Sequence, residues 1–259
     1  MLMTTAELMN IPTETQTYLA SRYQRLVARL RSTERRFGRA ENSVCLIAVS
    51  KTYPAEDIRA VANEGQRDFG ENQVQEAMSK IPALEDLNCT WHFIGPIQSN
   101  KCRAIANNFD WVHSIDRLKI ARRLSDLRPT EAGPLNILLQ VNQQGEASKA
   151  GVPPDALSAL VTSIRNLPNV RLRGLMAIPS PEANFERQRA VFANLRNLKE
   201  IINHEQAINM DSLSMGMTND LEAAVAEGAT HVRIGTAIFG AREPRQSTPL
   251  RYRSHSAHH

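Results

Sequence analysis

The chain has 259 residues, 42% hydrophobic and 22% charged, and its 31 basic against 27 acidic side chains leave a net charge of +4. This is the composition of an ordinary globular protein with a real core, long enough for one large α/β domain or two small ones. Three cysteines, Cys45, Cys89 and Cys102, are odd in number and lack CxxC spacing, which excludes a disulfide framework and a recognisable zinc site and fits reduced thiols.

The charge is uneven. Residues 1–40 carry a net +4 and residues 242–259 a net +3, so the body between them is net −3 and no basic surface for nucleic acid is expected there. Arg22, Arg25, Arg29, Arg35 and Arg36 fall on one amphipathic helix and read as its solvated face. His92, His113, His204 and His231 are scattered and the remaining histidines cluster in the tail, so no metal site is read from them. The N-terminal stretch has no basic, apolar leader, and no run approaches the ~18 apolar residues of a membrane span. A cytoplasmic protein is expected.

In chain order, Thr13 and Gln16 stand at capping-box spacing, and Leu19, Tyr23, Leu26, Val27 and Leu30 follow at helical intervals, so a long first helix runs to near Gly38. Strands are then expected over residues 45–51, 67–72, 91–96, 111–115, 136–142, 172–178, 212–217 and 231–239. Helical spacings fill the intervals, among them Ile58 and Val61, Leu157 with Val161 and Ile164, and Phe192 with Leu195 and Ile202. Eight βα units in a chain of this length predict a single (β/α)8 TIM barrel, class α/β, with an additional N-terminal helix, over residues 1–242. The polar segment 243–259 is expected to be a disordered tail.

In such a barrel the active site lies at the carboxyl ends of the strands. The first strand ends there on Lys51, and the seventh and eighth, SMGMTND and RIGT, offer glycine-containing turns where barrels commonly hold phosphate. Thr218 stands where it can cap the following helix, while Asp220 in the first turn would repel an anion unless its side chain points away. An amine that captures aldehydes, opposite a phosphate cradle, suggests pyridoxal phosphate; the alternative for Lys51 is a charge reaching solvent. Arg233 sits in an apolar strand, where a buried guanidinium needs a partner. That partner is either a carboxylate such as Glu71 or the pyridine nitrogen of a cofactor.

With VSKTYP, GENQVQE, WHFIGPIQSNK, SMGMTND and RIGTAIFGAR in order along residues 45–242, the sequence resembles the pyridoxal phosphate homeostasis protein family, which shares the alanine racemase-like fold type III barrel. The resemblance implies that Lys51 forms the internal aldimine and that Arg233 faces the pyridine nitrogen. By the same resemblance Ser214, Thr218, Gly235 and Thr236 hold the phosphate, and Asn72 lies near the ring hydroxyl. Lys149, in the loop after strand five, reads as a surface lysine or a second amine for handing on the cofactor.

Three functions compete. The first is a carrier that sequesters pyridoxal phosphate and supplies it to apoenzymes, acting as a monomer with little or no catalysis. The second is an amino-acid racemase; it lacks an evident second domain to supply an opposite-face tyrosine, since Tyr18, Tyr23 and Tyr252 are peripheral and Tyr53 follows the lysine itself. The third is a cofactor-free Schiff-base aldolase, which suits a lysine with a phosphate cradle but more often carries its lysine on a middle or late strand.

Overall fold

The computed structural model describes residues 13–145 and 150–241. Its first helix, α1 (Glu14–Arg36), begins with the expected capping box. The Gln16 amide donates to Thr13 Oγ1 at 3.2 Å and the Thr13 amide donates to Gln16 Oε1 at 2.8 Å. Leu19, Tyr23, Leu26 and Leu30 form its buried face, each leucine worth about 1.5–3 kcal/mol on burial.

Strands and helices then alternate: β1 (Cys45–Val49), α2 (Ala55–Asn63), β2 (Asp68–Glu71), α3 (Val74–Lys80), β3 (Thr90–Phe93), α4 (Cys102–Asn108), β4 (Trp111–Ile115) and α5 (Leu118–Leu127). The second half runs β5 (Leu135–Gln140), α6 (Pro154–Ile164), β6 (Val170–Met176), α7 (Phe185–Gln206), β7 (Ser212–Ser214), α8 (Leu221–Ala226), β8 (His231–Ile234) and α9 (Thr236–Phe239). All neighbouring strands are parallel and the sheet closes, with β1 paired to β8 through Cys45 opposite His231 and Ile47 opposite Arg233. The expected barrel is therefore observed. The eighth strand is shorter than its apolar run suggested: it stops at Ile234, and residues 236–239 wind into α9, because a short apolar run does not by periodicity alone distinguish strand from helix.

The main apolar cluster lies between the barrel and its helices. The ring's interior is more polar. His92, Trp111, His113 and His231 gather there, with centroids 4.9 Å apart for Trp111 and His231 and 5.2 Å for His92 and His113. The N-terminal helix packs against α2, α8 and α9, so it lies across the join between the chain's two ends. No helix among the described residues is long and apolar enough to cross a membrane.

Candidate functional site

The carboxyl mouth of the barrel holds a cavity of about 460 Å³. Six of the residues singled out in the sequence line it: Lys51, Asn72, Thr218, Arg233, Gly235 and Thr236. Tyr53, Ile94, Gly95 and Met217 complete much of its wall. Gly95 is required by close approach, since a Cβ there would stand 2.1 Å from the Asn72 carbonyl oxygen. Asn72 Oδ1 is buried and meets no hydrogen-bond donor among the described residues.

Lys51 follows β1 on a short turn whose two flanks are pinned. Before it, the Ser50 hydroxyl donates to Glu71 Oε1 at 2.7 Å and the Ser50 carbonyl accepts from Lys80 Nζ at 2.8 Å. After it, Thr52 takes a left-handed backbone with φ of 72°, a rare conformation for a β-branched residue, and its amide donates to Glu76 Oε1. Lys80 joins the flanks, reaching Glu71 Oε1 at 2.8 Å and Glu76 Oε1 at 2.5 Å while only 5% exposed. Burial pushes the Glu71 carboxyl up, against the pull of the hydrogen bonds from Lys80 and Ser50.

Glu71 is thus committed to Lys80, and the alternative in which it paired with Arg233 does not occur. Arg233 is 5% exposed, and no carboxylate among the described residues forms an ion pair with it. Nη1 donates to Ser214 Oγ at 2.7 Å and Nη2 to the Ala177 carbonyl at 3.0 Å. Burial pulls its pKa down to about 10, so the group stays cationic at neutral pH. Ser214, expected in the phosphate cradle, is fully buried beneath Arg233 and does not line the mouth. Its hydroxyl is occupied by Arg233 and by His113 Nδ1 at 2.8 Å.

The two glycine-containing turns meet at the cavity's other side. Gly216 has φ of 97°, and a Cβ there would come 2.5 Å from Ala224 Cβ, so only glycine lets this turn seat on α8. Thr218 lies in the turn before α8 and does not cap it. The cap position belongs to Asp220, whose Oδ1 accepts from the Met217 amide at 2.5 Å and is thereby folded back onto its own loop. Gly235 and Thr236 open α9. The first helix braces both turns from behind. Arg22 donates to the carbonyls of Thr236, at 2.5 Å, and Ile238, at 2.9 Å, while Arg29 donates to that of Thr218 at 3.1 Å. These two arginines are therefore not a purely solvated face, as their spacing had suggested. Lys149 and the tail after Arg242 lie outside the described residues.

Sequence reasoning also missed Lys80 and the buried histidines. His113 and His231 are held neutral, His113 well below the usual histidine range and His231 at about 3, in both cases chiefly by burial and next by the neighbouring His92. Alternation within WVHSI and HVRI, which puts each histidine on the face opposite the outward valine, was the available signal.

The alanine racemase N-terminal domain family model matches residues 22–243. Curated relatives named pyridoxal phosphate homeostasis protein include one from Pseudomonas aeruginosa, 55% identical over 87% of this chain and 96% of its own length. Another, from Escherichia coli K12, is 50% identical over 80% of this chain and 90% of its own. Among solved structures, PipY of Synechococcus elongatus with pyridoxal phosphate bound is 39% identical, with a TM-score of 0.75 over 86% of this chain and all (100%) of that one. Alanine racemase from Corynebacterium glutamicum shares the fold at 15% identity, TM-score 0.63, over 89% of this chain and 63% of its own. A closed barrel with a mouth lysine, a buried arginine and two glycine turns agrees with those matches: the chain belongs to the pyridoxal phosphate homeostasis protein family.

Proposed function

We propose that this protein binds pyridoxal 5′-phosphate covalently through Lys51 and serves its homeostasis, holding the cofactor and releasing it to apoenzymes, with little or no turnover of amino acids. The observation that carries the reading is one cavity lined both by Lys51 and by a buried arginine that has no carboxylate ion-pair partner among the described residues.

The residues present fit the group. When bound, the cofactor supplies an aldehyde that a primary amine can capture. Lys51 Nζ is the amine at the mouth, and Arg233 offers donors to a ring nitrogen. Asn72 Oδ1, which meets no donor among the described residues, is an acceptor for a ring hydroxyl. Thr218, Gly235 and Thr236 border the place for the phosphate, whereas buried Ser214 supports Arg233 instead. A cation against the ring nitrogen disfavours its protonation and weakens the ring as an electron sink, which suits racemisation or simple holding of the cofactor better than transamination.

The same wall argues against efficient racemisation. Tyr53 donates its hydroxyl proton to the Gly240 carbonyl at 3.0 Å, and its ring stacks on Phe239 with centroids 4.8 Å apart. The phenol that would have to exchange a proton with substrate is tied to the backbone. A monomer and a cytoplasmic location belong to the same reading.

The test is the absorption spectrum of the purified or reconstituted protein before and after borohydride, with mapping of any reduced adduct. A visible band lost on reduction, with the pyridoxyl mass on Lys51 and absent from Lys51→Ala, is the expected result. A protein that cannot be loaded, or an adduct on Lys149 alone, would overturn the assignment.

A further inference from the structure

Arg233 is the cavity-side end of a hydrogen-bonded chain that crosses the barrel. From Arg233 Nη1 the chain passes to Ser214 Oγ at 2.7 Å, and from there to His113 Nδ1 at 2.8 Å. His113 Nε2 meets His92 Nδ1 at 3.0 Å, and His92 Nε2 meets Asp68 Oδ1 at 3.0 Å. Ser214, His113 and His92 are buried, and Asp68, the first residue of β2, keeps its side chain 32% exposed. Five residues from four strands plus the end of a fifth thus link the cofactor mouth to the barrel's opposite face.

One order of protons pairs every donor in the chain with an acceptor. An ionised carboxylate only accepts, so His92 Nε2 carries a hydrogen. With that single hydrogen on His92, Nδ1 accepts, so His113 donates from Nε2 and accepts at Nδ1. Ser214 therefore donates its hydroxyl proton to His113 and receives one from Arg233, which has no acceptor of its own. Reversing the two rings would bring two donors onto Ser214 Oγ and leave the serine proton with no acceptor in the chain. Other charged groups nearby are consistent with this order. His231 lies 5.9 Å from His113, ring to ring, and its Nδ1 is engaged by Thr230 Oγ1 at 2.8 Å. Arg173 covers Trp111 at 4.8 Å and pairs with Asp211, and Cys45 neighbours Asp68.

We infer that Asp68, His92, His113 and Ser214 are positioning residues that orient Arg233 for the cofactor's ring nitrogen, with Asp68 as the acceptor that ends the chain. Every donor in the chain points away from the guanidinium and toward the carboxylate, so each bond polarises the next in the same sense. A direct carboxylate would hold Arg233 too, but would draw its donors away from the cavity. The chain holds the guanidinium through a neutral hydroxyl, with Asp220 as the acidic group that acts on its charge from a distance, and leaves its other donors available. This rests on the reading in which Arg233 faces a bound ring.

Two readouts separate the chain from that reading. Nitrogen-15 NMR of the ligand-free protein, near pH 7.5, is expected to show both His92 and His113 as Nε2–H tautomers. Asp68→Ala, a substitution at a partly exposed position, is expected to admit the Nδ1–H form at His92 and also at His113, whose own contacts are untouched. Asp68→Asn, which keeps an acceptor oxygen, is expected to restore the wild-type tautomers. In the loaded protein, Asp68→Ala is expected to shift the visible band of bound pyridoxal phosphate, and Asp86→Ala, at an exposed carboxylate elsewhere, to leave it in place. Nδ1–H or charged rings in the wild type, or tautomers indifferent to Asp68→Ala, would overturn the chain. Altered tautomers with an unmoved band would overturn its connection to the ring. A wild-type protein that takes up no cofactor fails the functional reading itself, and the tautomers then decide the chain alone.

Discussion

Arg29 and Thr218, 189 positions apart, are joined by a 3.1 Å hydrogen bond from the guanidinium to the threonine carbonyl, while the same guanidinium grips Glu222 twice at 2.7 Å. Thr218 also lines the mouth, so this bond braces the turn that borders the proposed phosphate place. Arg29→Ala is therefore expected to weaken binding of pyridoxal phosphate by roughly tenfold, the usual effect of losing a charge-assisted hydrogen bond. Binding of pyridoxal, which has no phosphate, should change far less. Equal losses for both ligands, measured by fluorescence titration, would reduce Arg29 to a fold-stabilising role.

Lys80 is the shared cation of Glu71, Glu76 and the Ser50 carbonyl. Removing it leaves Glu71, which is fully buried, without its counter-charge, at a cost of about 3–5 kcal/mol. Lys80→Met should lower the denaturant midpoint accordingly and loosen both flanks of Lys51, slowing covalent capture of the cofactor. Adding Glu71→Gln should recover much of the stability, because no buried charge is then stranded. Recovery of the capture rate is not expected, since Glu76 still lacks its partner. A double variant with wild-type capture kinetics would refute the idea that this network aligns the lysine.

Acid should destabilise the protein earlier than carboxylate protonation alone would. His113 and His231 have folded-state pKa values depressed below the unfolded value of about 6.5, that of His231 to about 3. The unfolded chain therefore binds more protons, and the stability these neutral rings contribute is present above pH ~6.5 and lost as pH falls below it. Each histidine adds a slope of about 1.4 kcal/mol per pH unit in that window. Glu71, whose pKa is raised, works in the opposite direction, and Asp68, whose pKa is lowered, adds its loss only below the ordinary carboxylate range. Denaturation curves between pH 7.5 and 5 should show this fall, and His231→Met should flatten it.

Gly95→Ala should close the cavity from its wall. The new methyl group would meet the Asn72 backbone, with 2.1 Å to the carbonyl oxygen and 2.7 Å to Cα, and backbone does not yield as a flexible side chain does. If Asn72 meets the ring hydroxyl as proposed, displacing it moves its buried acceptor away, so cofactor affinity is expected to drop at least tenfold while the far-ultraviolet spectrum stays that of a folded barrel. Retained affinity would show that Asn72 does not contact the ring.

Much of this was written locally in the chain. The capping box at Thr13 and the alternation of short β-branched runs with helical spacings specify α1 and eight strands because each signal is complete within a few residues. Lys51, Arg233 and the glycine turns were found because strand ends in a barrel share one mouth. What escaped depends on closure of the ring. His92 and His113 are 21 positions apart, and His113 and Ser214 are 101, yet they touch. Nothing in linear spacing marks such a pair. Ser214 was placed with the phosphate turn because it adjoins one, although strand alternation turns it inward. Arg22 and Arg29 were read as solvent-facing because a helix wheel does not show which loops will lie against it.

A closed ring has a last consequence for how this protein can meet another. β1 pairs with β8, so the sheet presents no strand edge, and docking by adding a strand from a partner is not open to it. In the proposed delivery role, a recipient would be met across the rim of the mouth, where Ile178 and Met217 stand 41% and 40% exposed beside the cavity. Contact through two apolar side chains on separate loops is small and easily reversed.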